Sequence, residues 1–566
     1  MFDMKYKFKL LWAFALVFAL SSCGDMFDLD INVDPNNPQT TSPNLLLTNI
    51  QRQMAYHING YSSNAMGFMG LIGSYDSWQI GQSAFNGTWS TAYSSVLKDI
   101  EGIIQTNTGD SGSPQYLGIA QLLKAYLYTN MVDFFGDIPF SEALRGDDAT
   151  GVIKNPKFDD DEAIYAECLK LVDQGIANVT STRVPVAVGG DVIYGGSAAR
   201  WAKFGRTLKM RLLLNTRLVN AAASKSGIEA LMATPANLIA ADADDFAFGY
   251  SRIVTPDNRH PWYQSSYTGP NGFTYILHQI MLEMLEDGDP RFPYYFKRQT
   301  AVVLDQNDPS QRNTTPCSQA ACLIGYFALS PVVQERLYTN QNIPYTAAAK
   351  TYMAGMFGRD RGDPSGVPLD GDLRTVPGVY PAGGYYDNAA SLTGANRAPG
   401  GGVQPMITHV HALYYQIEAI LALGVAGDAR ALFEKAIRDH IKKVVDFGRS
   451  RDANAVAPPI TLPDGRVLNT DAYVAKWMAR YDAATTTNAK MNVVAKQLWF
   501  SSWGSGIDVY NLFRRTGLPN TLQDPLFAPR KFPLRYPYPQ EELTLNPNAS
   551  NYKTVIYDRD PIFWDK

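Results

Sequence analysis

The stretch from Thr408 to Gly448 constrains the fold more than any other. "THVHALYYQIEAILALG" sets Val410, Leu413, Tyr414, Ile417, Ile420 and Leu421 at i, i+3, i+4 and i+7 spacing, which makes one apolar face of an α-helix. A turn from Gly424 to Gly427 follows, and "GDARALFEKAIRDHIKKVVDFG" then turns Ala429, Leu432, Phe433, Ala436, Ile437 and Ile441 inward. So short a connection implies two antiparallel helices. Each carries an apolar stripe that needs neighbours to cover it. Helices of the same character are expected from "LGIAQLLKAYLYTNMVDFF", "DEAIYAECLKLVDQGIANV" and "ARWAKFGRTLKMRLLLNTRLVN".

The spacing of Ala429, Phe433 and Ala436 resembles the second helix of a tetratricopeptide repeat, whose small residues let paired helices approach closely. Between the helical patterns lie Tyr56 to Trp89, Tyr250 to Phe273 and Phe357 to Val403, all rich in Gly, Pro, Asn and Tyr. Loops of that length are uncommon unless functional or disordered, and these hold too many aromatics for disorder. The expected fold class is therefore mainly α: tetratricopeptide-like helix pairs form a scaffold decorated with long loops and minor β structure. With 566 residues, 45% hydrophobic and 18% charged, the chain can bury a large core. No Ser/Gly-rich or Pro-rich linker divides it, so one unit spanning residues 23–566 is expected.

The first residues read as a processing signal. Lys5, Lys7 and Lys9 precede the apolar segment Leu10 to Leu20, which is shorter than the ~20 residues a membrane span needs. Leu20, Ser21, Ser22 and Cys23 look like a bacterial lipobox, so residues 1–22 are expected to be cleaved as a lipoprotein signal peptide. Cys23 then becomes the acylated lipid anchor, and two or more chains hold a membrane stably. Asp25, Asp28 and Asp30 follow; they serve as a solvated tether or, as in lipoproteins of Bacteroidota, resemble a surface-export signal. The expected location is the outer membrane, lipid-anchored and facing the exterior.

The formal charge of -4 becomes about -6 once the leader's three lysines and one aspartate are removed. No basic stripe offsets phosphate charge, so nucleic acid is excluded as a partner. Cys317 and Cys322 could bridge a small loop in an oxidising exterior, while Cys168 falls on a helical apolar pattern and is expected to be buried. No CxxC pair exists, and no cofactor or metal is expected. "GDSG" at Gly109 to Gly112 lies in a reading frame of loop between helices, and only His57 precedes Ser111, so no catalytic serine is expected. His409 and His411 point to different helix faces without a third ligand nearby. Asp360, Asp363, Asp370 and Asp372 lack EF-hand spacing and read as a solvated acidic turn.

Several blocks in order behind the lipobox resemble the SusD/RagB family of surface nutrient-binding lipoproteins. They are "INVDPNNPQTTSPNLLL", "KAYLYTNMVDFFGDIPFSEAL", "ARWAKFGRTLKMRL", "AKQLWFSSWGSGIDVYNLFRRTGLP" and "RYPYPQEELTLNPN", which span nearly the whole mature chain. Their residues read mostly as scaffold: Gly136 and Pro139 end a helix, and Arg514 and Arg515 pair with buried carboxylates or touch a ligand. The resemblance implies a non-catalytic protein that binds a nutrient, an oligosaccharide or polysaccharide before a peptide. It also implies a SusC-like TonB-dependent outer-membrane transporter as partner, touched by the repeat helices, with the binding loops acting as a lid.

Sugar rings offer apolar C–H faces and a rim of hydroxyls, which suits Tyr and Trp flanked by Asn, Gln, Asp and Arg. "GSYDSWQIGQSAFNGTW" supplies Tyr75, Asp76, Trp78 and Trp89; "DNRHPWYQSSYTGPNGF" supplies Arg259, Trp262 and Tyr267 beside Tyr263; "YPAGGYYDN" supplies Tyr385 and Tyr386. The same rings could instead pack the loops onto the helices. Two other functions are compatible with the sequence. A surface glycan hydrolase would need two carboxylates across a cleft, and no local motif selects a pair. A repeat scaffold that binds only protein would use the aromatic loops for docking.

Overall fold

The computed structural model describes residues 41–73, 80–146, 151–184, 186–268, 275–298, 356, 358–359, 361–362, 375–388, 399–462, 465–525 and 531–565. The leader, Cys23 and its following aspartates, Cys317, Cys322 and the four aspartates from Asp360 to Asp372 lie outside these residues. The principal helices are α1 (Pro43–Phe68), α2 (Lys98–Asn107), α3 (Pro114–Phe135), α4 (Asp161–Val179), α5 (Ala198–Asn215), α6 (Ala221–Met232), α7 (Pro261–Tyr267), α8 (His278–Asp287), α9 (His409–Leu423), α10 (Ala429–Arg451), α11 (Thr470–Ala483), α12 (Thr487–Ser501) and α13 (Ile507–Thr516). The chain is mainly α, as its patterning requires. Among the described residues no helix is long and apolar enough to cross a membrane.

Local chemistry sets the helix starts. Ser113, Asp160, Ser197, Asp428, Asn469 and Thr486 each accept a backbone N–H of the first turn through the side chain, which satisfies donors the helix leaves open. Thr408 and His411 close a reciprocal capping box on α9. Gly424 ends that helix in the left-handed conformation at φ 65°, and α10 folds back against it. Val410, Tyr414, Ile417, Phe433, Ala436 and Ile437 are buried between them, while Ile420, Leu421 and Leu432 are only partly covered.

The pair α3 and α4 meets backbone to backbone. A Cβ on Gly118 would lie 2.6 Å from Val179 N and 2.7 Å from the Gly175 carbonyl, and one on Gly175 would lie 2.7 Å from Leu122 Cγ. Gly205 of α5 lies against Ile176 and Leu122 in the same way. Cys168 of α4 is fully buried, as expected. "GDSG" occupies the connection between α2 and α3. The buried apolar side chains form one contiguous cluster that reaches from Leu47 to Trp564.

The described residues also form three two-stranded sheets: β1 (Phe246–Gly249) with β4 (Val403–Ile407), β2 (Phe296–Lys297) with β3 (Val376–Pro377), and β5 (Ile460–Thr461) with β6 (Val467–Leu468), all antiparallel. In the first, Phe246 pairs with Ile407 and Gly249 with Val403, with an irregularity between Phe246 and Ala247. This ladder feeds directly into α9 on one side and into the segment 250–260 on the other.

Two expected loops contain helix: α7 lies within Tyr250 to Phe273, and α1 runs into Tyr56 to Trp89. Tyr56 to Phe68 was expected within a long loop and is instead the second half of α1. Its turn-forming residues are held by neighbours: Asn59 Nδ2 donates to Gln404 Oε1 at 2.7 Å, and Ser62 Oγ accepts the Gly506 N–H at 2.8 Å. Buried on nearly every side, this half has no polar face for a periodicity argument to find.

Candidate functional site

The segment leaving β1 runs as a narrow turn. Tyr250 N donates to the Gly402 carbonyl at 2.9 Å, Ser251 N to Asn258 O at 3.1 Å and Asn258 N to Ile253 O at 3.1 Å. His260 then caps α7, its Nδ1 accepting Trp262 N at 3.1 Å, while His260 N donates to Gly400 O at 3.0 Å. These bonds fix α7 beside the segment "PGGG" that leads into β4.

On α7, Tyr263 and Tyr267 are one turn apart and stack at 5.0 Å with an interplanar angle of 18°. The Arg259 guanidinium lies over the Tyr263 ring, 5.3 Å from its centroid. Tyr385 meets Tyr267 edge-on at 6.0 Å. Glycines make the floor. A Cβ on Gly400 would lie 2.5 Å from Tyr263 Cδ1, and one on Gly384 would lie 2.6 Å from the Tyr267 hydroxyl. Tyr267 Oη donates to the Pro377 carbonyl at 2.8 Å, which fixes its ring. Tyr263 is buried, whereas Arg259, Tyr267 and Tyr385 remain partly exposed.

The rim is polar, and its Asp257–Arg259 pair is internally neutralised. Asp257 Oδ1 accepts Arg259 N at 3.0 Å and Nε at 2.9 Å, and Oδ2 accepts Nη2 at 2.5 Å. The Arg259 hydrogen bond holds the Asp257 carboxyl below its usual range, and Asp257 in turn raises Arg259. Burial pushes the Tyr385 phenol up to about 12 and Tyr267 higher still, so both hydroxyls stay neutral at physiological pH. Tyr56 of α1, 46% exposed, donates to Gln264 Oε1 at 3.3 Å and extends the rim. The nearby carboxylates are committed elsewhere: Asp387 pairs with Arg298 at 2.8 Å, and Asp452 accepts Tyr386 N at 2.8 Å and Asn454 N at 2.9 Å.

The structure thus brings together three of the ligand residues expected from sequence: Arg259, Tyr267 and Tyr385. Three others turn inward. Trp89 packs edge-on against Phe135 at 5.2 Å and donates to Glu542 at 3.2 Å. Trp262 lies 5.2 Å from Trp503 with its Nε1 bonded to Ser63 Oγ at 3.1 Å. Tyr386 packs on Tyr294 at 4.9 Å. Each is at most 6% exposed: the short helix Asn86–Thr91 and α7 turn Trp89 and Trp262 onto the scaffold, and the loop 378–387 does the same with Tyr386. Tyr75, Asp76 and Trp78 lie outside the described residues. Sequence reasoning missed Tyr56 and Gln264, and placed Tyr263 in the candidate loop without choosing it as a contact. The i, i+4 tyrosine pair and the glycines of "APGGG" and "AGGYY" were the available signals.

Arg514 and Arg515 belong to the scaffold. Arg515 pairs with Glu418 at 2.8 Å, and Arg514 donates to the carbonyls of Asp133 and Leu534 at 2.7 Å. His409 and His411 do face different ways, but His409 has carboxylates beside it: Asp245 at 3.1 Å and Asp242 at 3.4 Å, brought there by the turn before β1. Those three could hold a cation, yet the Lys443 ammonium already pairs with both aspartates.

A protein-family profile described as SusD-like, starch-binding and associating with the outer membrane, matches residues 35–321. No curated protein matches the sequence. Among solved structures, a chitin-binding protein gives a TM-score of 0.65 at 18% identity, covering 93% of this chain and 100% of its own. A SusD/RagB family protein from Bacteroides thetaiotaomicron gives 0.63 at 20% identity over 93% and 99%. A chitin-binding SusD homolog from Flavobacterium johnsoniae gives 0.60 at 17% identity over 92% and 97%. At such identities the structural matches speak to the fold, which is shared over nearly the whole chain. With half of its sequence under the family profile and its helical architecture matched almost end to end, this chain belongs to the SusD-like family, described as starch-binding and associated with the outer membrane.

Proposed function

We propose that this protein is a non-catalytic, cell-surface lipoprotein that captures a neutral oligosaccharide on the Arg259, Tyr267 and Tyr385 face and hands it to a SusC-like TonB-dependent transporter. Residues 1–22 are the signal peptide, Cys23 carries the acyl chains, and residues 23–566 form one binding body. The observation that carries the reading is the ring ladder itself. Its phenols are neutral and Arg259 is neutralised by Asp257, so the ring ladder itself offers flat apolar surface and hydrogen bonds. That chemistry suits sugar rings better than a charged peptide. The starch-binding description of the family and the chitin-binding names of two structural relatives support the same ligand class.

Binding is favoured over hydrolysis because Asp257, Asp387 and Asp452 are tied up by cations and backbone N–H groups, which leaves no opposed pair of free carboxyls among the described residues of this face. Affinity electrophoresis in gels cast with starch, soluble chitin derivatives and plant polysaccharides tests the reading. Retardation in at least one gel, without release of reducing ends, is expected. Unretarded migration in all of them, or reducing ends from any, contradicts it. Co-purification of an outer-membrane barrel from detergent extracts of the native host tests the handover.

A further inference from the structure

A second cavity lies at the opposite end of the sequence, where the closing segment meets the start of α4. Its volume is about 430 Å³, within the range of small-molecule sites. Asp137, which follows α3, Asp161 at the first turn of α4, and Arg535 and Asp565 from the closing segment line it, with Tyr538, Tyr552 and Phe563 as ring walls. It shares no residue with the tyrosine face.

Two charged side chains of this wall are incompletely satisfied. Arg535 is 6% exposed and its Nε has no hydrogen-bond partner; Asp565 is 5% exposed and its Oδ2 has none. Buried polar atoms are nearly always paired, and an unpaired charged group is costly. Carboxylates outnumber cations here. Oxygens of Asp137, Asp160 and Asp161 lie within 4.8 Å of one another, and burial pushes Asp161 up to about 6 and raises Asp565, despite the neighbouring arginines. The positive end of α4 offsets only part of that crowding. The cavity wall therefore carries more carboxylate than cation: Asp565 has an unpaired oxygen, and the lining cation is Arg535, whose Nη2 donates to the Tyr538 hydroxyl at 2.6 Å.

A bare metal ion fits poorly. Asp137 spends Oδ1 on Asp161 N at 3.0 Å and Oδ2 on the Tyr552 hydroxyl at 2.9 Å, and Asp160 caps α4 through Ala163 N at 3.0 Å. The guanidinium would repel such an ion, and ring walls give it no ligands. A neutral sugar supplies neither charge. We propose that this cavity binds a small zwitterion with the chemistry of a free α-amino acid, its ammonium toward Asp161 and Asp565, its carboxylate toward Arg535, and its side chain against Tyr538, Tyr552 and Phe563.

Calorimetry on the full mature chain tests this, with L-leucine as probe beside isoamylamine, which lacks the acid, and 4-methylpentanoate, which lacks the amine. Saturable heat is expected for L-leucine, and affinity at least about tenfold weaker for each single-charge analogue. Asp161→Asn and Asp565→Asn keep the shape of each side chain and are expected to weaken L-leucine by about tenfold or more while melting within a few degrees of the parent. A thermal-shift screen of the twenty L-amino acids extends the search if leucine's side chain is the wrong size. No stabilisation by any of them, stabilisation by calcium chloride alone, or unaltered binding by both variants overturns the proposal. Glycan retardation of Asp161→Asn reads the tyrosine face separately, so either assignment can fail without the other.

Discussion

Tyr263 and Trp262 are sequence neighbours with different duties, and substitution separates them. Trp262 bridges α7, α1 and Trp503, so Trp262→Ala is expected to cost about 3–5 kcal/mol of stability, read as a lower urea midpoint. A variant of unchanged midpoint would place this ring outside the core. Gly400 has φ 73° and lies under the Tyr263 ring. A side chain there is strained and drives the ring off its seat. Gly400→Ala is therefore expected to weaken glycan binding several-fold although residue 400 need never touch a sugar; unchanged affinity would show that the floor does not position the ladder.

The α3–α4 pair depends on two glycines that let the backbones touch. Gly118→Ala puts a methyl 2.6 Å from Val179 N, and overpacking of this kind costs about 1–3 kcal/mol. A melting temperature within error of the parent would contradict the close approach. Elements of this sort were legible in the sequence because their signals are local. The stripe of α9 and α10 and the Gly424 break need only a few neighbouring residues to be read. The second half of α1 was not legible: Asn59 and Ser62 look like turn formers, and only contacts with Gln404 and Gly506, some 345 and 444 residues away, make them helical. The same limit applied to the candidate site. Composition found Arg259, Tyr267 and Tyr385, but which rings turn inward depends on what lies beneath them. Trp89, Trp262 and Tyr386 have the same chemistry as ligand-binding rings and are separated from them only by tertiary packing.

Across the whole molecule the histidines set the response to acid. All six of the chain, His57, His260, His278, His409, His411 and His440, have their pKa lowered by burial, His57 to about 4 and His260 and His278 to about 3. The folded state keeps them neutral while the unfolded chain protonates them near 6.5, so stability is intact above pH 6.5 and is lost as the pH falls toward 4. His57, His260 and His278 each contribute about 2 kcal/mol of loss at pH 5, against a typical total of about 5–15 kcal/mol. Asp161, raised to about 6, works the other way over pH 6 to 4 and offsets only a part. Urea midpoints are expected to fall steeply between pH 6.5 and 4.5. A flat profile there would mean that the histidines are charged or exposed.

At the same scale, the central claim is that a neutral tyrosine face on this helical body captures sugar. Calorimetry of the mature protein and of the Tyr267→Ala/Tyr385→Ala double variant, titrated with whichever glycan retards the parent, tests it most directly. Losing two ring contacts of ~0.5–1.5 kcal/mol each predicts affinity weaker by roughly five- to a hundredfold, with the urea midpoint little changed. Equal affinity in a folded double variant would contradict the claim.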